Sequence, residues 1–257
     1  MNDNPLETAC ITVDIVLFAS YREQAGVKHV QLELPASAHV RHAAEMLEAR
    51  YSGLSLRGGL CAINAHYVNP DATLSSGDTL AFFPPVSGGS GDADSQAQPS
   101  AAESSPESIP ERCPDHFIVS EAALTIGDYY ERLSDPRYGA LASFVGTVRS
   151  PNLGHSVHYI DYQGYESMMY SQMQRIASEL RQRHQIGAVL IAHRLGRLYP
   201  GEASIAIVVA SVHRREALLA CQEAIERVKA LLPVWKYEVT DARAHWVAGN
   251  AEAAETL

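Results

Sequence analysis

Positive charge is scarce in this sequence. Its 20 Lys and Arg residues are outnumbered by 30 Asp and Glu residues, so the formal net charge at pH 7 is -10. A protein that binds nucleic acid in general needs a basic face to neutralise phosphates. The charge balance therefore argues against general nucleic-acid binding, and it leaves room for a local basic pocket.

Cysteine and long apolar runs are also rare. No two cysteines have metal-ligand spacing, so no metal site is expected, and nothing implies a cofactor. No apolar run approaches the roughly 20 residues that cross a bilayer, and the N-terminus lacks the charged-then-apolar layout of a signal peptide. These absences predict a cytoplasmic protein with inert thiols and no membrane partner. The cysteines are Cys10, Cys61, Cys113 and Cys221.

Composition divides the 257 residues into two candidate domains. Residues 87–114 are rich in Ser, Gly, Pro, Ala and acidic residues, with almost nothing to bury. Such a segment cannot offset the entropy lost on ordering, so we expect a flexible linker. The predicted organisation is a first domain over residues 1–89, a disordered linker over 90–114 and a second domain over 115–257.

The first domain has the pattern of a small α+β unit. Apolar residues alternate in its first strand, which puts the odd-numbered residues from Ile11 to Leu17 on one face. Residues 39–51 place apolar side chains at helical spacing. We expect one helix packed on a small mixed sheet. The predicted strands are residues 11–19, 30–35, 61–68 and 78–83.

The end of the first domain is its most informative feature. Residues 81–89 read AFFPPVSGG, in which Pro84 and Pro85 stiffen the exit from the sheet. The pair Gly88 and Gly89 has no side chains, so it fits a tunnel too narrow for any Cβ. A Gly-Gly pair alone is more typical of a linker start, and the small sheet directly before it favours a functional tail.

The second domain combines strand and helix patterns. Its second helix, residues 216–232, is expected to turn an apolar stripe inward that includes Leu218, and Pro233 ends the helix. The other helix is predicted at residues 167–183. The predicted strands are residues 141–149, 158–165, 188–196, 204–211 and 234–240.

Two groups of basic residues stand at the ends of predicted strands. Arg149 ends the first strand of the second domain, where a cation is usually an ordinary surface group. His213 and Arg214 lie where a strand turns into a helix. The unpaired N–H groups and positive dipole of a helix start favour an anionic ligand such as phosphate. A capping region with exposed charge explains these two residues equally well.

A third charged group surrounds the end of the second helix. Lys229 lies near that end, and the period-two alternation of the next strand puts Lys236 and Glu238 side by side on one face. A surface ion pair would contribute only about 0–1 kcal/mol and needs no function. Two lysines near a phosphate-binding helix start suggest a catalytic role instead, because a lysine with a lowered pKa acts as a base or nucleophile.

The first domain resembles the small subunit of molybdopterin synthase, a ubiquitin-like β-grasp sulfur carrier, over about residues 11–89. The motifs are VLFASYREQAG (16–26), AIN (62–64), SSGD (75–78) and FFPPVSGG (82–89). The resemblance implies that a sulfur-loading enzyme adenylates Gly89, which then becomes a thiocarboxylate. In this chain Ser90 follows Gly89, and an internal carbonyl has no carboxylate to adenylate. We therefore predict proteolysis after Gly89, since exposed linkers are favourable cutting sites.

The second domain resembles the large catalytic subunit of molybdopterin synthase over about residues 117–247. The motifs are SFVGTVRSPNLG (143–154), YESMM (165–169), HRLGRLYPGE (193–202), SVHRREA (211–217) and KALLPVWKYE (229–238). The resemblance implies an α/β hammerhead-type fold, a homodimer and catalytic roles for Lys229 and Lys236. The residues that it assigns to substrate binding are Phe144, Arg149, His213, Arg214 and Glu238. A basic residue of the family corresponds to Asn250 here, and Arg243 is a candidate substitute.

Together the two resemblances imply a molybdopterin synthase, an enzyme of molybdenum cofactor biosynthesis. Its substrate is then cyclic pyranopterin monophosphate, and sulfur from two Gly89 thiocarboxylates builds the dithiolene. Lys229 is the expected acid–base or covalent participant, and Lys236 supplies electrostatic support. Two alternatives stay open. One is a non-catalytic carrier or adaptor for another pathway such as thiamine synthesis, and the other is an uncleaved regulator with a blocked tail.

Overall fold

The computed structural model describes residues 10–85 and 114–247. Gly89, Asn250 and nearly all of the predicted linker therefore lie outside the described residues. Over the described ranges the chain forms two units of mixed helix and strand, which confirms the expected α+β class. None of the helices in these ranges is long and apolar enough to cross a membrane.

The first unit is built on one mixed sheet. Its strands are β1 (Cys10–Leu17), β2 (His29–Pro35), β3 (Leu60–Ile63), β4 (His66–Val68) and β5 (Thr79–Phe83). The order across the sheet is β2-β1-β5-β3-β4, with β1 and β5 parallel and the other neighbouring pairs antiparallel. Two helices, α1 (Ala19–Ala25) and α2 (Val40–Arg50), complete the unit.

The alternation of side chains along β1 determines which buried cluster each face of the sheet joins. The odd-numbered residues from Ile11 to Leu17 share a buried core with Ala43 and Leu47 of α2, which confirms the predicted face. The opposite face carries Val16, which belongs to a second buried cluster that includes residues of the other unit. One face of the sheet therefore serves the fold, and the other serves docking.

Two local features differ from the sequence expectation. Residues 61–68 form a tight hairpin rather than one strand, because Asn64 and Ala65 adopt left-handed φ values of 49° and 66°. Residues 19–25 form α1 directly after β1, and Gly26 ends this helix with a φ of 72°.

The second unit has two four-stranded sheets. Its strands are β6 (His116–Ser120), β7 (Ala140–Thr147), β8 (Val157–Gly164), β9 (Val189–Arg194), β10 (Gly196–Leu198), β11 (Ala203–Ser211), β12 (Val234–Thr240) and β13 (Ala244–Trp246). Its helices are α3 (Ile126–Leu133), α4 (Glu166–Arg183) and α5 (Arg214–Leu231). The sheets have the orders β6-β9-β11-β7 and β10-β8-β12-β13.

The β6-β9-β11-β7 sheet is covered on both faces. Met173 of α4 and Val228 of α5 share the main core with Ile207 of β11. On the other face, Tyr129 and Leu133 of α3 are buried in a separate cluster. The second sheet contributes apolar residues of β8 and β12 to the main core, so β12 is held firmly against the rest of the unit.

Leu218 is a correction to the predicted inward stripe of α5. Its exposed fraction is 62%, because the buried face of the helix runs through Ala217, Cys221 and Ala224 instead. Leu219 in the same turn is also exposed. The first turns of α5 therefore present apolar side chains to solvent.

Candidate active site

Strand β12 separates two kinds of surface. Because successive side chains of a strand point to opposite faces, Trp235 lies on one side of the sheet and Lys236 on the other. Glu238 shares the face of Lys236, as does Tyr162, the cross-strand neighbour of Lys236 on β8. Lys236 is half-buried, and Glu238 has an exposed fraction of only 6%.

Three charged side chains surround Lys236. Burial lowers the pKa of Lys236 below its usual range, and nearby Lys229 lowers it further. Glu238 opposes this effect, and Arg149 adds to it. The structure thus brings Arg149, Lys229, Lys236 and Glu238 into one neighbourhood, in which positive charge is concentrated and only partly compensated.

His213 and Arg214 lie elsewhere in the same chain. They are exposed at the N-terminal end of α5, and Lys229 follows 15 residues after Arg214 in that helix. At about 1.5 Å per residue, the helix separates Arg214 from Lys229 by about 22 Å. These two basic residues therefore do not join the lysines within one chain, and their place in the substrate site stays a prediction.

Phe144 lies on β7, opposite Ile207 of β11, and packs half-buried against the main core. A Cβ added to Gly146 would come within 3.3 Å of the Phe144 ring, so the ring lies close over this glycine. Arg243 is exposed between β12 and β13. The proposed contacts of Phe144 and Arg243 with substrate stay predictions.

Trp235 joins the two units. Its indole stacks on Phe18 with the ring centroids 5.3 Å apart, and it packs against Phe83 at 5.2 Å. Its Nε1 donates a hydrogen bond to the carbonyl oxygen of Pro84 at 2.9 Å. The exit of β5, from which the Gly88–Gly89 segment continues, is therefore held on β12, on the face opposite Lys236.

Two polar contacts flank this apolar centre. The Tyr67 hydroxyl donates to the carbonyl oxygen of Leu231 at 3.2 Å. The indole Nε1 of Trp246 donates to Oε2 of Glu23 at 2.8 Å. Burial raises the pKa of Tyr67, so its hydroxyl keeps the proton that this contact needs. The first unit is thus docked on the second through both apolar packing and hydrogen bonds.

Comparison with known proteins identifies both units. Residues 119–231 match the family model described as MoaE protein, and residues 15–89 match the ThiS family. The molybdopterin synthase catalytic subunit of Pyrococcus abyssi is 39% identical over 137 residues, which cover 53% of this chain and 88% of that protein. The Bacillus subtilis catalytic subunit is 30% identical over 138 residues, which cover 54% and 88%.

This chain belongs to the molybdopterin synthase catalytic subunit family.

The first unit adds a β-grasp domain of the ThiS type to the molybdopterin synthase domain, which confirms the two resemblances. Among solved structures, molybdopterin synthase from Staphylococcus aureus is 28% identical, covers 51% of this chain and 95% of that chain, and has a TM-score of 0.48. The catalytic-subunit relatives support molybdopterin synthase function in molybdenum cofactor biosynthesis, and they imply an enzyme activity.

Sequence patterns did not indicate one polar residue of this candidate site. Asn152 donates from Nδ2 to both carboxylate oxygens of Glu238, at 3.1 and 3.3 Å. Its Oδ1 accepts a hydrogen bond from Nη2 of Arg149 at 3.3 Å. The turn that contains Asn152 is visible in the sequence, but its pairing with a residue 86 positions later depends on the tertiary fold.

A buried histidine was also missed. The pKa of His193 on β9 is lowered to about 4, chiefly by burial and also by the nearby charge of Lys236, while a backbone hydrogen bond to Arg194 acts in the opposite direction. Its Nδ1 lies 2.9 Å from the carbonyl oxygen of Arg194, and its ring packs on Tyr162 with centroids 5.7 Å apart. His193 is therefore a neutral imidazole close to Lys236, and its Nδ1 carries the proton donated to that carbonyl.

Proposed function

We propose that this chain transfers sulfur from a Gly89 thiocarboxylate to cyclic pyranopterin monophosphate and so forms the dithiolene of molybdopterin. The thiocarboxylate sulfur displaces an oxygen substituent from a side-chain carbon of the pterin and so forms a thioester with Gly89. Water then cleaves the bond between this sulfur and the Gly89 carbonyl, so the sulfur stays on the pterin and the carrier leaves with a Gly89 carboxylate. Two such transfers from two carriers complete the dithiolene. Proteolysis after Gly89 first creates the carboxylate that a sulfur-loading enzyme adenylates.

The hydrogen bond from Trp235 to the Pro84 carbonyl carries this proposal. Gly89 follows Pro84 by five residues, and five extended residues span at most about 18 Å. Lys236 is the next residue after Trp235. A glycine tail that starts at this point is therefore long enough to pass from the docking face towards the charged face of β12, and its lack of side chains suits a narrow passage.

The lysines supply the chemistry in this proposal. Lys229, exposed in the last turn of α5, is the principal acid–base or covalent participant. Lys236, half-buried with a lowered pKa, places weakly screened positive charge where negative charge develops. Arg149 and Glu238 orient the substrate beside them. A scaffold that only held the carrier would need none of these charges.

The phosphate of the substrate is assigned to His213 and Arg214 of a second copy of the chain. Within one chain, these two residues and Lys229 lie near opposite ends of α5. Exposed Leu218 and Val212 beside them form an apolar surface that suits burial in a homodimer. The edge strand β7 adds exposed Val145 to the apolar surface of the unit.

The direct test is product formation by the full-length chain. The chain is expressed with a sulfur-loading enzyme and supplied with cyclic pyranopterin monophosphate, and the dithiolene product is measured. Intact-mass analysis of the same preparation should find an N-terminal fragment that ends in a Gly89 thioacid. A single uncleaved species with full activity would refute the cleavage step, and absence of product from a loaded carrier would refute the transferase.

The ThiS match over residues 15–89 favours a second candidate function. In this alternative the first domain is a sulfur carrier for another pathway, such as thiamine synthesis, and the second domain is an adaptor. The observation that discriminates the two is the effect of Lys229→Ala. Loss of dithiolene product supports the synthase, whereas unchanged sulfur delivery to a thiamine precursor supports the adaptor.

A further inference from the structure

The Asn152 carboxamide bridges a cation and an anion. A carboxylate only accepts hydrogen bonds and a guanidinium only donates them. The amide must therefore turn Nδ2 towards Glu238 and Oδ1 towards Arg149, which is the orientation found at 3.1–3.3 Å. An aspartate at this position would keep the contact with Arg149 and lose the donor that Glu238 needs.

The backbone around Asn152 is a tight two-residue hairpin. The N–H groups of Asn152 and His155 each donate to the carbonyl oxygen of the other at 2.9 Å. The two residues between them, Leu153 and Gly154, adopt φ values of 48° and 83°. Loops of this kind with two positive φ values match the twist of the strands that they join. The Asn152 side chain therefore projects from a regular two-residue turn.

This hairpin is anchored at its base. The Ser150 hydroxyl accepts a hydrogen bond from the backbone N–H of Val157 at 3.0 Å. The N–H of Asp241, after β12, donates to the carbonyl oxygen of Ser156 at 3.0 Å. The segment that carries Asn152 is thus tied to the end of the strand that carries Glu238, and a fixed backbone delivers the amide to the carboxylate.

We propose that Asn152 is a positioning residue of the active site, which holds Glu238 and Arg149 at fixed places beside Lys236. This inference rests on the proposed function and deepens it. Without the amide, nearly buried Glu238 loses both hydrogen bonds from Asn152 Nδ2, and its carboxylate is free to pair directly with Arg149. Such a pair would neutralise a cation that orients the substrate and would draw the carboxylate away from Lys236.

The test uses the full-length chain loaded with sulfur, with steady-state kinetics for cyclic pyranopterin monophosphate. Asn152→Ala should lower kcat/KM about tenfold, as expected for lost hydrogen bonds to charged groups. Asn152→Asp should lower it further, although its shape is closer to the native residue, because it sets two carboxylates against each other. Leu153→Ala, at the exposed tip of the same hairpin, is the matched control and should behave as wild type. A loss in Asn152→Ala that exceeds the loss in Asn152→Asp would overturn the proposal.

A double-mutant cycle separates positioning from general stability. If Asn152 acts through Glu238, the variant with both Asn152→Ala and Glu238→Gln should be about as active as Glu238→Gln alone. Independent losses that multiply would overturn the proposal. The same cycle is measured on the free energy of unfolding in urea, where the two substitutions should also be non-additive.

The two proposals fail in different ways. If the wild-type chain makes no product, the proposed function fails. The coupling of Asn152 to Glu238 is then tested by the double-mutant cycle on the free energy of unfolding, and strictly additive losses would overturn it. If the wild-type chain makes product and Asn152→Ala matches it in both kcat and KM, the synthase stands and the positioning role of Asn152 is wrong.

Discussion

Trp235 binds the carbonyl of Pro84 through its indole nitrogen, across 2.9 Å, and so ties the exit of the carrier domain to the strand that holds Lys236. The two residues are 151 positions apart in the chain. One strand therefore carries the docked carrier on one face and the charged site on the other. Carrier docking and the geometry of the charged site are therefore linked, because both depend on the placement of β12.

We expect Trp235→Phe to weaken delivery of the tail while keeping most of the aromatic packing on Phe18. Loss of one neutral hydrogen bond costs about 0.5–1.5 kcal/mol, or roughly two- to tenfold in the rate of product formation. Trp246→Phe, which loses a more exposed contact with Glu23, is the control and should have a smaller effect. Equal rates for Trp235→Phe and wild type would show that the Pro84 contact does not guide the tail.

We expect Lys229→Ala to reduce dithiolene formation by about 10²–10⁴-fold, the usual contribution of a positioned acid or base. Folding should be unaffected because Lys229 is exposed. Lys28→Ala makes the same change at an exposed position in the carrier domain and should leave the rate of a preloaded chain unchanged. Near-normal product yield from Lys229→Ala would remove this lysine from the mechanism.

The sequence predicts those parts of the fold and the site that depend on local periodicity. Period-two alternation was enough to put Lys236 beside Glu238 and to assign the buried face of β1. The hairpin at Asn64 and Ala65 was not predicted, because neither residue is the glycine that usually marks such a turn. The partnership of Asn152 with Glu238 could not be inferred, since it requires the end of β12 to meet the segment before β8.

His193 predicts a pH dependence of stability. Its pKa is about 4 in the folded chain, against an ordinary value of 6.5. Between these values the unfolded chain binds a proton that the folded chain does not, so stability rises with pH across this window, by up to about 3 kcal/mol. Below pH 4 both states are protonated, and above pH 6.5 neither is, so the contribution is constant outside the window.

His193→Gln should flatten this dependence. The measurement is urea unfolding at about pH 4.5 and about pH 6.5, followed by tryptophan fluorescence. Both tryptophans, Trp235 and Trp246, lie in the second unit, so the signal reports on the unit that contains His193. His29→Gln, at an exposed position of β2, should keep the wild-type slope. An equal slope in wild type and His193→Gln would mean that another group titrates in the window.

A homodimer with shared sites predicts complementation between inactive variants. Arg214→Ala and Lys229→Ala should each lose activity alone. In a twofold dimer formed from an equal mixture, half of the dimers are mixed, and one of the two sites in each mixed dimer is intact. Coexpression should therefore restore about a quarter of wild-type activity. If Arg214 acted on the lysines of its own chain, no site in the mixture would be complete and no activity would return.

In the proposed function, the peptide bond between Gly89 and Ser90 must break before sulfur can be loaded. Ser90→Pro should block most proteases at this bond, so the full-length mass persists and product formation stops. Ser95→Pro, in the same predicted linker, is the control and should be cut and active. Residues 1–89 and 90–257 expressed as two chains should make product without any protease. An active, uncut Ser90→Pro chain would require a sulfur donor other than a Gly89 thiocarboxylate, since a carbonyl that remains in a peptide bond has no carboxylate to adenylate.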